Sequence, residues 1–114
     1  MMFVQVRKIT VTEGNSKQVV NQFSKKGILE EQEGVIDIKV MVKKIRRGEE
    51  EVMILVNWES EDYWKQWEKS DVHIAGHKAK RNQPKPDYII NTEVAKYEVK
   101  AVKQGIGGQK NDVI

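Results

Sequence analysis

The chain has 114 residues, 32% of them charged, with a formal net charge of +3 and no cysteine. That length suits one domain with a single core, and the missing cysteines exclude disulfides, thiolate nucleophiles and thiolate metal ligation. Charges of both signs are spread along the chain, which argues against nucleic-acid binding, and no apolar run approaches membrane-spanning length. The N-terminal MMFVQVRK alternates with polar residues instead of showing the basic-then-apolar layout of a signal peptide, so a cytoplasmic location is expected.

Residues 2–12 predict a first strand, with Phe3, Gln5, Arg7, Ile9 and Val11 on one face and Val4, Val6, Lys8 and Thr10 on the other. Gly14-Asn15-Ser16 then punctuates the chain and caps a helix whose inward stripe is Val19, Val20 and Phe23. Gly27 is the expected stop, with Ile28 and Leu29 packing after it. Residues 35–44 alternate Ile36, Ile38, Val40 and Val42 against Asp37, Lys39, Met41 and Lys43, a strand with one wet face. Across an Arg46-Arg47-Gly48 turn, residues 51–58 are apolar on both faces, as a central strand requires.

The stretch from Trp58 to Lys78 holds all three tryptophans and both histidines. Ser60 is the expected N-cap of a helix, its hydroxyl accepting from free N–H groups, with Glu61 and Asp62 at the positive helix end. Tyr63, Trp64 and Trp67 form its buried stripe, while Lys65, Glu68 and Lys69 face water. Ser70-Asp71 interrupts the pattern, and a second short helix, with Asp71 as its expected cap, carries Val72, His73, Ile74 and His77. In one unbroken helix Trp67 and His77 would lie about 80° apart around the axis. A bend between them would put an indole and an imidazole on the walls of one pocket, suited to a flat, apolar ligand that also needs a nitrogen donor.

A polar loop from Lys80 to Asn91 holds both prolines, Pro84 and Pro86. Residues 92–102 predict a last strand with Ala95, Tyr97, Val99 and Ala101 inward and Lys96, Glu98 and Lys100 outward. The domain is expected to span residues 1–103, and the Gly-rich residues 104–114 to form a flexible tail. The order β-α-β-β-α-β is the split βαβ, ferredoxin-like α+β arrangement: a four-stranded antiparallel sheet with its helices on one face. Apolar residues on both faces of the first and third strands leave the other face in need of a partner, so a two-fold homodimer is expected.

The strand FVQVRKITVTEG, the strand EGVIDIKV, the helix WESEDYWKQWEKSD, the segment IAGHK and the loop KPDYIINTEV occur together between Phe3 and Lys103. In this combination the chain resembles the haem-degrading monooxygenases of the IsdG and HmoA type, nearest the HmoA members, within the antibiotic-biosynthesis monooxygenase (ABM) superfamily. The resemblance implies a dimeric α+β barrel with one haem per subunit in a cleft between sheet and helices. Haem would be both substrate and cofactor, its ring opened with O2 and an external reductant to release iron and a bilin-type product. His77 matches the proximal iron ligand and Trp67 the residue that presses on the macrocycle and ruffles it. The first-strand position that is asparagine in the better-known members is Arg7 here, a departure. Arg7 is then either a donor on the distal side of the iron, a partner for a haem propionate, or an outward solvated side chain. Asn57 is a candidate for a compensating distal amide.

The bland readings stand beside these. A His-x-x-x-His pair is by itself a weak metal signal, and His73 reads as a solvated or capped imidazole. By spacing alone the tryptophans are core residues, and Trp58 and Trp64 remain so. The run His77-Lys78-Ala79-Lys80-Arg81 either neutralises propionates or is a solvated face. No flavin or nicotinamide motif is visible, so electrons are expected from a separate reductase or small reductant. Two other functions suit the same fold: a haem carrier or sensor that does not degrade its ligand, and a cofactor-independent monooxygenase acting on an aromatic polyketide or quinol. The latter would need no stoichiometric haem.

Overall fold

β1 (Phe3–Thr12) and β3 (Glu49–Trp58) are the two central strands, paired antiparallel from Phe3 opposite Trp58 to Thr12 opposite Glu49. In the computed structural model, which describes residues 2–45, 47–81 and 83–107, they are flanked by β2 (Val35–Lys44) and β4 (Ile89–Glu98). The sheet order is β2-β3-β1-β4, with every neighbouring pair antiparallel. Helix α1 (Ser16–Ser24) and a 3-10 turn at Leu29–Glu31 lead from β1 to β2, and helices α2 (Glu61–Lys69) and α3 (Asp71–Arg81) lead from β3 to β4. This is the ferredoxin-like α+β fold expected from the element order.

Alternation along the central strands sets the two sheet faces. Phe3, Ile9, Val11, Val52, Ile54, Val56 and Trp58 are buried on one face, together with Val19 of α1. Val20, Phe23, Leu29, Tyr63, Trp64 and Trp67 pack onto them from the helical layer. Each large apolar side chain buried this way contributes roughly 1.5–3 kcal/mol. Phe3 and Trp64 lie with ring centroids 5.2 Å apart, and the Lys96 ammonium sits 4.6 Å from the Trp64 ring centre. Trp58 and Trp64 are core residues, as spacing implied. Among the described residues no helix is long and apolar enough to cross a membrane.

Two polar features tie the helices to the sheet. Glu50, on the buried face of β3, accepts hydrogen bonds from the Gly14 and Ser16 N–H groups, both at 3.1 Å, and so caps α1 from across the fold. Asn15, at the N-cap position, makes no capping bond; its amide instead donates to the Thr12 hydroxyl at 2.7 Å. Gly34 enters β2 at φ +91°, and a Cβ there would overlap the Tyr63 ring on α2. Its carbonyl accepts from Glu59 N–H at 2.7 Å just before that helix. Only glycine supplies both the left-handed backbone and the empty space that Tyr63 occupies.

Several sequence expectations change. The last strand is Ile89–Glu98, not 92–102, because β1 begins opposite Glu98 and Val99 N–H makes the last bond, 2.9 Å to the Met2 carbonyl. Its faces are also exchanged. Ala95 pairs with Val6 and Tyr97 with Val4, on the face away from the helices, while Lys96 pairs with Gln5 and reaches Trp64 on the helical side. Ile36 does not face inward, since a bulge between Val35 and Asp37 leaves it 48% exposed and turns Val35 to the core. The turn after β2 has Arg47 and Gly48 at φ +46° and +84°, closed by Ile45 N–H to Glu49 C=O at 3.2 Å; Arg46 lies outside the described residues. α3 continues to Arg81, which shortens the expected proline loop; Asn82 and the tail from residue 108 onward also lie outside the described residues.

Replacing Gly34 by Ala is expected to cost about 2 kcal/mol or more in a urea melt, through backbone strain and the Tyr63 overlap; an unchanged midpoint would contradict this. Hydrogen bonds from Ser16 and then Gly14 hold the Glu50 carboxyl below its ordinary value of 4.5. Its contribution is therefore whole above pH 4.5 and fades as pH falls through the lower folded value. Glu50→Gln should accordingly melt earlier than wild type at neutral pH, with the gap closing in acid. A gap independent of pH would show that the charge is irrelevant.

Candidate active site

One residue breaks the helical run after β3. Ser70 is extended, at φ −70° and ψ 149°, and ends α2 immediately before α3 begins at Asp71. Its hydroxyl donates to the Trp67 carbonyl at 2.7 Å and accepts from the His73 N–H at 3.2 Å. Its own N–H also bonds to the Trp67 carbonyl, at 3.0 Å, and its carbonyl receives Ile74 N–H at 3.1 Å. Ser70 thus closes one helix and caps the next, the role expected of Asp71, which instead places a carboxylate in the first turn of α3. Ser60 holds the N-cap position of α2 with extended backbone, but its side chain makes no capping bond.

The bend brings α2 and α3 over the sheet so that Trp67 and His77 line the same cleft. Its volume is about 360 Å³, within the range of small-molecule sites. The sheet wall is Gln5, Arg7, Ile54 and Val56; Phe23, Ile28 and Leu29 close the side near α1; Trp67, Val72, His73, Gly76, His77 and Lys80 form the helical wall. Two apolar side chains of this lining stay open to solvent, Ile28 at 54% and Val72 at 49% exposed. That is surface an apolar ligand would cover.

Arg7, Trp67 and His77, the three site residues singled out in the sequence, therefore meet in one cavity, with Arg7 on the sheet and the two rings on the helices. Asn57 does not join them. Its odd position in β3 puts it beside Asp37 on the opposite sheet face, where its amide donates to that carboxylate at 2.7 Å. Lys80 lines the cleft, whereas Lys78 and Arg81 of the same basic run do not.

His73 is more than a solvated imidazole. Its Nε2 lies 2.7 Å from a Glu68 carboxylate oxygen, and its side chain is 18% exposed. Its ring centroid is 4.8 Å from Trp67 and 4.4 Å from His77, tilted by 64° and 74°. Burial pushes its pKa below the ordinary 6.5, with Glu68 opposing and His77 and Arg7 adding to the fall. Among the described residues the His77 side chain has no such polar partner, and its ring remains available to a ligand. Gln5 and His73 carried usable sequence signals. Gln5 is two residues from Arg7 on the same strand face, and His73 is one helical turn from His77.

The antibiotic biosynthesis monooxygenase family matches residues 2–79. The chain is 61% identical to the heme-degrading monooxygenase HmoA of Bacillus subtilis over 108 residues, which cover 95% of this chain and 100% of that protein. A crystal structure from Bacillus cereus, described as an antibiotic biosynthesis monooxygenase, superposes with a TM-score of 0.79 at 47% identity, covering 91% of this chain and 98% of that one. The heme-degrader MhuD of Mycobacterium tuberculosis, with two hemes bound in its active site, superposes with a TM-score of 0.64, covering 90% and 99% of the two chains; at 20% identity this likeness establishes the fold alone.

Ser70→Ala removes both hydroxyl bonds and is expected to cost about 1 kcal/mol in a denaturant melt and to shift the near-ultraviolet tryptophan signal. Asp71→Ala should cost less and leave that signal in place. The reverse ranking would assign the cap to Asp71.

Proposed function

Because the chain belongs to the antibiotic biosynthesis monooxygenase family, on the HmoA side of it, we propose that it is a haem-degrading monooxygenase. The observation that carries this reading is the convergence of Trp67 and His77 on one largely apolar cleft whose opposite wall bears Arg7. Apolar walls suit a macrocycle, an unengaged imidazole suits its iron, and Lys80 suits its carboxylates. Bound haem supplies the iron at which O2 and externally delivered electrons act, and the ring carbon that is oxidised as the porphyrin opens to a bilin-type product and iron is released.

The chain's residues orient, shape and shield that substrate. His77 would hold the iron from the helical wall. Trp67, half-buried and anchored in the core layer, would set a rigid indole against the porphyrin. Arg7 would donate from the sheet wall, in the place of the family's first-strand asparagine, as a longer, charged donor. Ile28 and Val72 lose their exposure to the ligand and keep water from it. Electrons come from a separate reductase or small reductant, and the protein works in the cytoplasm.

The other sheet face supports a homodimer. Register places Val4, Val6, Met41, Met53, Leu55, Ala95 and Tyr97 together on it, with Met41 41% and Tyr97 57% exposed. Two such faces packed together form the α+β barrel, with the domain of residues 1–103 as its unit.

Titration with haemin is expected to shift the Soret band to an endpoint of one equivalent per chain, and ascorbate under air to bleach it with release of iron and a bilin-type product. His77→Ala should abolish the shift. Bleaching that fails while the shift persists would leave a haem carrier; no shift at all would favour a cofactor-independent monooxygenase. Light scattering should give twice the 13.2 kDa chain mass, and a monomer would remove the second copy.

A further inference from the structure

Trp67 and His77 share the cleft, yet each ring touches His73, which lies between them. An unanchored side chain there would pass little orientation from one ring to the other. His73 is anchored twice: its N–H is held by the Ser70 hydroxyl at 3.2 Å, and its Nε2 by Glu68 at 2.7 Å. The carboxylate lies against Nε2 and restrains the rotation of the ring. Glu68 in turn sits on α2 next to Trp67, whereas His73 sits on α3 one turn before His77, so the pair spans the bend.

We infer that Glu68 and His73 form a positioning device for the haem site, in which a carboxylate-anchored imidazole wedged between Trp67 and His77 sets the angle at which both rings enter the cleft. The device rests on the haem reading for its purpose, but the ring geometry it enforces belongs to the protein without haem. His73 is not an iron ligand in this arrangement. It acts through its two neighbours, as residues that orient a metal ligand do elsewhere.

The test uses the full chain with His73→Ala, His73→Phe, Glu68→Ala, Glu68→Gln and the double alanine variant. Without haem, the His77 imidazole resonances and the near-ultraviolet tryptophan signal should move in His73→Ala and Glu68→Ala. With haemin, both should bind about tenfold more weakly and with a displaced Soret maximum. The double variant should add nothing to either single one. Glu68→Gln, which keeps the length of the side chain and a polar group against Nε2, should restore most of the wild-type spectrum. His73→Phe, which keeps a ring but loses the anchor, should match Glu68→Ala and decides the matter if the alanine variant does not fold. Lowered melting temperature with unmoved resonances would overturn the proposal, as would additive effects. A histidine-ligated spectrum persisting in His77→Ala would make His73 a ligand and overturn it too. If wild-type protein takes up no haemin, the functional reading falls, and the haem-free resonances still decide whether the wedge positions the rings.

Discussion

Ser70 bonds through one hydroxyl to the last turn of one helix and the first turn of the next, and the site depends on that junction. Ten residues along a straight helix would carry Trp67 and His77 to different sides of the axis. Ending α2 at the Trp67 carbonyl and restarting α3 at the His73 N–H resets the phase, so both rings face the same stretch of β1 and β3. A serine suits the junction because its short hydroxyl donates backwards and accepts forwards, whereas a carboxylate can only accept. The neighbouring Asp71 is left to complement the helix dipole.

The sheet sets the other half of the arrangement. Its helical face is apolar at the centre and gives way to Gln5 and Arg7 where α1 and α3 part, which opens a cavity without breaking the core. Glu50 and Gly34 hold the helices at the margins of this layer, one as a distant cap for α1 and the other as the space into which Tyr63 fits. The opposite face is apolar for a different reason, since no element of the chain covers Val4, Val6, Leu55 or Tyr97 among the described residues. One sheet thus separates a ligand site from a surface suited to a second copy.

Much of this was legible in the residues. Alternation in β1, β2 and β3, the aromatic stripe of α2 and the interruption at Ser70-Asp71 identify the fold, and the last of these implies the bend that joins Trp67 to His77. The rest is hidden where a local pattern is ambiguous by nature. Ala95 and Tyr97 do alternate with charged residues, but alternation says that a strand has two faces, not which one the helices cover. A single bulge at Ile36 shifts the phase of the residues around it, and no residue type announces it. Ser60, Ser70 and Asp71 all have N-cap chemistry, and only the path of the backbone selects Ser70. Asn57 alternates with Val56 and Trp58, which the core claims, so the strand period alone places it on the opposite face. The importance of His73 depends on its distance from Glu68, a contact across the bend that helical spacing does not reveal.

The proposed function requires that the junction at Ser70 assemble one cleft in which His77 would grip haem iron while Trp67 lies against the macrocycle. A crystal structure of the protein with haemin, prepared without reductant so that the substrate stays intact, tests it most directly. The expected result is His77 nitrogen bonded to iron, the Trp67 indole in van der Waals contact with the porphyrin, and Arg7 on the opposite side. Haemin seated on the outer sheet face, or iron bound with His77 turned away, would contradict it.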